Sequence, residues 1–235
     1  EEVAEDHVAL HPTVARLVRA SLTRDLRAGT SRAASALVCY GGSFFFHAGA
    51  SWTANARWVP HARALIRHVA AEGMVTRQTL ELARNLADTR ANAGRLDDAV
   101  EVAGHALAIA EKLEGAVSRE VSRCVSELAW LHGRLGDRAT RRTLLARALA
   151  IAERAGAEPR EVGDRLIELA ADHEAGGNEE AALEMLERAA TTLGKQPDAA
   201  VVHRRIEDLR TRRGDLDGAR RAREVAVQLE ELYGL

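Results

Sequence analysis

From Val75 onward, the apolar residues of the chain recur at every third or fourth position. That is the period of a helix with one buried face; a strand alternates at every second residue. Between Val75 and Asn92, Leu82, Ala83 and Leu86 fall on one stripe. A second stripe follows in Val102, Ala106, Ile109 and Leu113, with Gly94 between the two. A left-handed residue closing a helix is least costly as glycine. Asp97 and Asp98 come next, where the first turn of a second helix favours negative charge. The pattern predicts two helices joined by a tight turn.

The unit then repeats. Gly94 is followed five and twelve residues later by Ala99 and Ala106, Gly177 by Ala182 and Ala189, and Gly214 by Ala219 and Ala226. Gly136 has Arg141 and then Ala148 at the same offsets. The glycines are spaced by 42, 41 and 37 residues. Eight and seven positions before them stand Leu86–Ala87, Leu128–Ala129, Leu169–Ala170 and, as a weaker fourth copy, Ile206–Glu207.

This constellation resembles the tetratricopeptide repeat, in a form longer than the usual period of about 34 residues. Two departures stand out. Arg141 replaces an alanine, and Arg90, His132, His173 and Arg210 stand where the family has an aromatic residue. The resemblance implies an all-α fold, a right-handed superhelical solenoid of stacked hairpins, because one such unit cannot bury its apolar face alone. Four repeats are expected over residues 73–235, with a C-terminal cap ending at Leu229, Leu232 and Tyr233.

Residues 1–72 do not follow the repeat. Val8 to His11 is expected to be extended, and Pro12 stands where a helix carrying Val14, Leu17, Val18 and Leu22 would start. Further helices are expected over Ser31 to Phe46 and over Trp52 to Ala71. The phrases VALHPTVARLVRASL and WTANARWVPHARALIRHVA resemble, respectively, the end of the winged-helix region of STAND-type NTPases, bacterial NB-ARC proteins especially, and the helix leading into their repeat arrays. That resemblance makes residues 1–30 the remnant of a winged-helix-like element and residues 31–72 linking helices. It implies a sensor module for a protein or peptide trigger, attached to an upstream NTPase module of the same signalling polypeptide. The chain begins with Glu1, so it is expected to be a fragment. It contains no phosphate-binding loop, so nucleotide chemistry is expected elsewhere. The rival expectation is a free-standing adaptor scaffold.

Composition changes this picture little. The net charge is −2, which gives no global pull toward nucleic acid or membrane. Cys39 and Cys124 are far apart and fit buried thiols in a reducing cytoplasm. The longest apolar run, Ala36 to Phe46, is broken by Gly41, Gly42 and Ser43 and is too short to span a bilayer. The nine histidines include no metal-ligand motif, and Cys124 with His132 lacks an orienting third group. No catalysis, cofactor or metal is expected.

The arginine-dense stretch from Arg204 to Arg223 interleaves with Glu207, Asp208, Asp215 and Asp217, as a solvated ion-paired face does. In the resembled family the first helix of each hairpin lines the concave groove. Counting from the glycines places Arg84, Asp88 and Asn92 there in the first repeat, and Arg123, Ser126, Trp130 and Arg134 in the second. Asp164, Ile167 and Glu174 follow in the third, and Arg205, Asp208 and Arg212 in the fourth. Arg84, Asp88, Asn92, Arg123, Trp130 and Arg134 are the expected partner-binding residues, with Trp130 as anchor, since Trp and Arg are enriched at hot spots. The competing reading packs Trp130 against a neighbouring helix. Asp88 and Trp130 depart from the carboxylate clamp of chaperone-binding relatives, so that specificity is not carried over.

Overall fold

The computed structural model describes residues 59–72 and 75–234. Among these, the regular elements are all α-helices: α1 (Val59–Glu72), α2 (Arg77–Asn92), α3 (Leu96–Glu114), α4 (Arg119–Arg134), α5 (Arg138–Arg154), α6 (Pro159–Ala175), α7 (Glu179–Leu193), α8 (Asp198–Arg212) and α9 (Leu216–Tyr233). They pair as α2/α3, α4/α5, α6/α7 and α8/α9, and the second helix of each pair packs on the first helix of the next. Helix α1 packs on both α2 and α3. The expected extended stretch from Val8 to His11, the helices from Pro12 and from Ser31, and the winged-helix reading lie outside the described residues.

Local sequence accounts for where each hairpin turns. Gly94, Gly136, Gly177 and Gly214 hold φ between 74° and 81°, a left-handed conformation that other residues reach only with strain. The residue after three of these glycines caps the next helix. Asp137 accepts a bond from the Thr140 amide (3.1 Å), Asn178 from Ala181 (3.1 Å) and Asp215 from Gly218 (2.9 Å). Helix α2 starts one residue beyond Thr76, which forms a capping box with Thr79.

The alanine columns are buried. Ala99, Ala106, Ala148, Ala182, Ala189 and Ala226 are all within 1% of full burial, and Ala219 is 6% exposed. The departures are absorbed by polar hooks. Arg90, only 6% exposed, pairs with Asp98 in the first turn of its partner helix. Arg210 donates to the Gly218 carbonyl at 3.1 Å, and His132 lies 3.3 Å from Asp137. Arg141 lies against Gly133, where a methyl group would come within 2.9 Å of its Cδ. The Arg141 and Arg142 guanidiniums then reach the buried Asp172 of the next pair at 3.5 and 2.9 Å. A buried carboxylate held by two arginines is hard to remove singly.

The last pair differs from the others on one side. Seven before, nine after and sixteen after the turn glycine, the first three pairs bury Ala87, Ala103 and Ala110, then Ala129, Leu145 and Ala152, then Ala170, Leu186 and Leu193. The same positions in the fourth are Glu207, Arg223 and Glu230. Arg204 joins them, with its Nε and NH2 donating to Glu230 at 2.9 and 2.7 Å and NH1 to Glu207 at 3.2 Å. Arg223 stands 3.8 Å from Glu207. A further repeat of the same kind stacked there would bury ionised groups. Replacing Glu207 by Ala, Arg223 by Leu and Glu230 by Leu restores the residue types of the inner pairs. The triple variant is expected to self-associate end to end in sedimentation or light scattering, while the parent chain under the same conditions does not.

Candidate partner-binding face

The exposed sides of the first helices, α2, α4, α6 and α8, lie next to one another and are stitched together by arginine–carboxylate pairs. Arg84 of α2 binds Glu127 of α4, its Nε donating to both carboxylate oxygens at 2.9 and 3.0 Å. Ser126 of α4 donates to Glu168 of α6, and Arg165 of α6 donates back to Ser126 at 3.0 Å and to Glu168 at 2.8 Å. Arg205 and Arg212 of α8 reach Glu174 of α6 at 2.6 and 3.1 Å. At the helix starts, Arg119 pairs with Glu161, and Arg160 with Asp198 at 3.1 Å.

These ties show which of the expected site residues are already engaged. Arg84 is half-buried against Glu127, and Arg123 is held by Glu120 of its own helix at 2.5 Å. Asp88 and Asn92 are exposed. Burial, then the nearby Glu127, pushes the Asp88 carboxyl up, against the pull of Arg84. Trp130 is 49% exposed on α4, so it stands on the surface and not in the core. Arg134 lies over its ring, 5.1 Å from the centroid, within cation–π range. The Arg134 guanidinium also donates to the Ala91 carbonyl at 3.1 Å, which brings Trp130 beside the end of α2.

Ser126, by contrast, is buried, and Ile167 is partly buried against the core. Glu127 and Glu168 were not singled out in the sequence, although both stand nine before their glycine. The column seventeen before the glycine holds Arg77, Arg119 and Arg160, and the one beside it holds Glu120, Glu161 and Asp198. That alternation is the signal for the inter-repeat pairs. A cleft of about 330 Å³ opens among these residues, lined by Arg77, Arg119, Arg123 and Arg165 with Glu114, Glu120 and Glu161.

No protein-family model matches the sequence, and no curated protein matches it. Solved structures do share its shape. BtubC (BKLC) of P. vanneervenii is 18% identical over 94% of this chain and 87% of its own, with a TM-score of 0.61. A Podosopora anserina putative kinesin light chain with nearly identical TPR-like repeats is 17% identical, over 88% of this chain and 97% of its own, at 0.61. A Rap protein complexed with Competence and Sporulation Factor is 15% identical, over 92% of this chain and 57% of its own, at 0.55. The fold is a tetratricopeptide-like solenoid. At these identities the likeness concerns fold alone.

Other chemistry in the solenoid is muted. Burial, and then Glu127, pushes the Cys124 thiol up to about 12, so the reactive thiolate is absent near neutral pH. Among the described residues no group of His, Cys, Asp and Glu converges to hold a metal, and no helix is long and apolar enough to cross a membrane. Of the arginine-dense segment, Arg204, Arg205, Arg210, Arg212, Arg220 and Arg223 all form ion pairs.

Three of the arginine-paired carboxylates, Asp98, Glu161 and Glu230, titrate below their ordinary range. The hydrogen bond from Arg90 holds the Asp98 carboxyl down, and those from Arg119 and Arg204 do the same for Glu161 and Glu230. The unfolded chain therefore takes up protons first as pH falls. Stability from these pairs is full above the ordinary carboxylate range, about 4, and is lost as pH drops through the depressed folded values. Melting temperature is expected to fall steeply on that acid limb. Asp98→Asn should lower it at neutral pH and make the acid limb shallower; an unchanged limb would show that the Arg90 pair carries no pH-dependent stability.

Proposed function

We propose that this chain is a non-catalytic interaction module that binds a protein or peptide on the concave side of its solenoid, across the first helices. The observation that carries this reading is Trp130, a large aromatic left 49% exposed on a first helix among charged and amide side chains. An apolar anchor in a polar surround is the usual anatomy of a binding hot spot. The Rap protein of the same shape was solved in complex with Competence and Sporulation Factor, which fits a repeat array used for binding. The finer proposal makes the module the sensor of a larger STAND-type signalling NTPase, supported by the phrases at residues 8–22 and 52–70. A free-standing adaptor would use the same face, and the complete gene separates the two through the presence of an upstream phosphate loop.

The test couples the full chain to resin, identifies the molecule it retains from its own cell extract, and titrates that molecule against variants. Trp130→Ala is expected to weaken binding by about 2 kcal/mol, roughly thirtyfold, with helicity unchanged. A sharp drop in melting temperature with affinity intact would instead make Trp130 structural and move the site elsewhere.

A further inference from the structure

The first-helix face is asymmetric in its unspent charge. Its arginines are occupied: Arg84 by Glu127, Arg123 by Glu120, Arg165 by Glu168, and Arg205 and Arg212 by Glu174. Among the described residues Arg134 alone of these has no carboxylate partner, and it is spent on the Trp130 ring and the Ala91 carbonyl. Four carboxylates of the same face, Glu81, Asp88, Asp164 and Asp208, are exposed and form no ion pair among the described residues. They stand at two register positions, thirteen and six before the turn glycine, which are two helical turns apart and so share one stripe. They are spread across α2, α6 and α8, and the α4 residues at those two positions are Arg123 and Trp130. Burial holds the Asp88 and Asp164 carboxyls above their ordinary values, so a cation brought beside either one would be favoured.

Resting on the reading of this face as the docking surface, we propose that its occupant is a basic, extended peptide segment whose cationic side chains meet Asp88, Asp164 and Asp208 while another side chain covers Trp130. The spacing agrees with that occupant. Arginine–carboxylate pairs span successive first helices, and an extended chain advances about 3.3 Å per residue, so a cationic residue at about every third position crosses the face, with Asp88, Trp130 and Asp208 at one register and Asp164 two turns along its helix from it. A polyanion would face the uncompensated carboxylates and is disfavoured by the same charges.

The experiment uses the full chain and three fluorescein-labelled peptides with one central leucine, built on repeats of Arg-Gly-Ser, Gln-Gly-Ser or Glu-Gly-Ser, followed by fluorescence polarisation. The arginine peptide is expected to bind, more weakly as salt rises, and the other two not to. Asp88→Asn, Asp164→Asn and Asp208→Asn should each weaken it about threefold, the scale of one exposed ion pair. Glu184→Gln, an exposed carboxylate on α7, should leave it unchanged. These positions are exposed, so circular dichroism should report full helicity in every variant. If the glutamine or glutamate peptide binds as tightly and Trp130→Ala abolishes that binding, the basic occupant is wrong and the docking face stands. If the arginine peptide binds and neither the Asp variants nor Trp130→Ala affect it, the proposal and the docking face both fail.

Discussion

A helix that carries alanine where its partner approaches can come close enough to exclude water along its whole length, and most of this structure follows from that contact. Ala99, Ala106, Ala182, Ala189 and Ala226 leave no room for solvent between the helices of a pair and the next helix to stack. The area buried per alanine is small, so no single pair is self-sufficient, and stability accumulates along the stack as neighbour-to-neighbour contacts. The same constraint shows in the fourth pair. In the first three pairs the outward positions are alanine or leucine; in the fourth they are Glu207, Arg223 and Glu230, tied to one another and to Arg204.

Close packing also decides where polar chemistry can sit. Excluded from the seams, charged residues collect on the exposed sides of the helices, where they pair across repeats: Arg84 with Glu127, Arg119 with Glu161, Arg205 with Glu174. Individually such exposed pairs contribute little. Their consequence is selective, because each pair removes two groups from the inventory a partner can use. What remains on the first helices includes Trp130, Val201, Asn92 and a set of carboxylates, and this is a narrower set than the sequence by itself offers.

The hairpins were legible because the turn glycine and the alanine column each encode the same boundary. Gly94 and Gly136 read as turns and are turns, and the stripe Leu82, Ala83 and Leu86 is buried. Arg141 was legible only as an anomaly; its solution, the missing side chain at Gly133 and the two-arginine hold on Asp172, spans two repeats and has no local signature. The face itself was half legible. Register placed Asp88 and Trp130 in the expected groove and left Trp130 open between groove and helix packing; whether Arg84 or Arg123 is available depends on Glu127 and Glu120, and that pairing is decided by side-chain reach, which periodicity does not carry. Cys124 illustrates the reverse: its isolation from any ligand motif anticipated an unreactive thiol, and burial supplies the reason.

The central claim, that partners dock across the first helices, is tested most directly by photo-crosslinking from single sites on the full chain. A photoreactive residue at Asn92, on the outer surface of α2, would be compared with one at Glu184 on α7, both exposed. With the molecule retained from cell extract bound, the account predicts covalent capture from Asn92 and none from Glu184. Capture from Glu184 with Asn92 silent would contradict it and place the docking surface on the second helices.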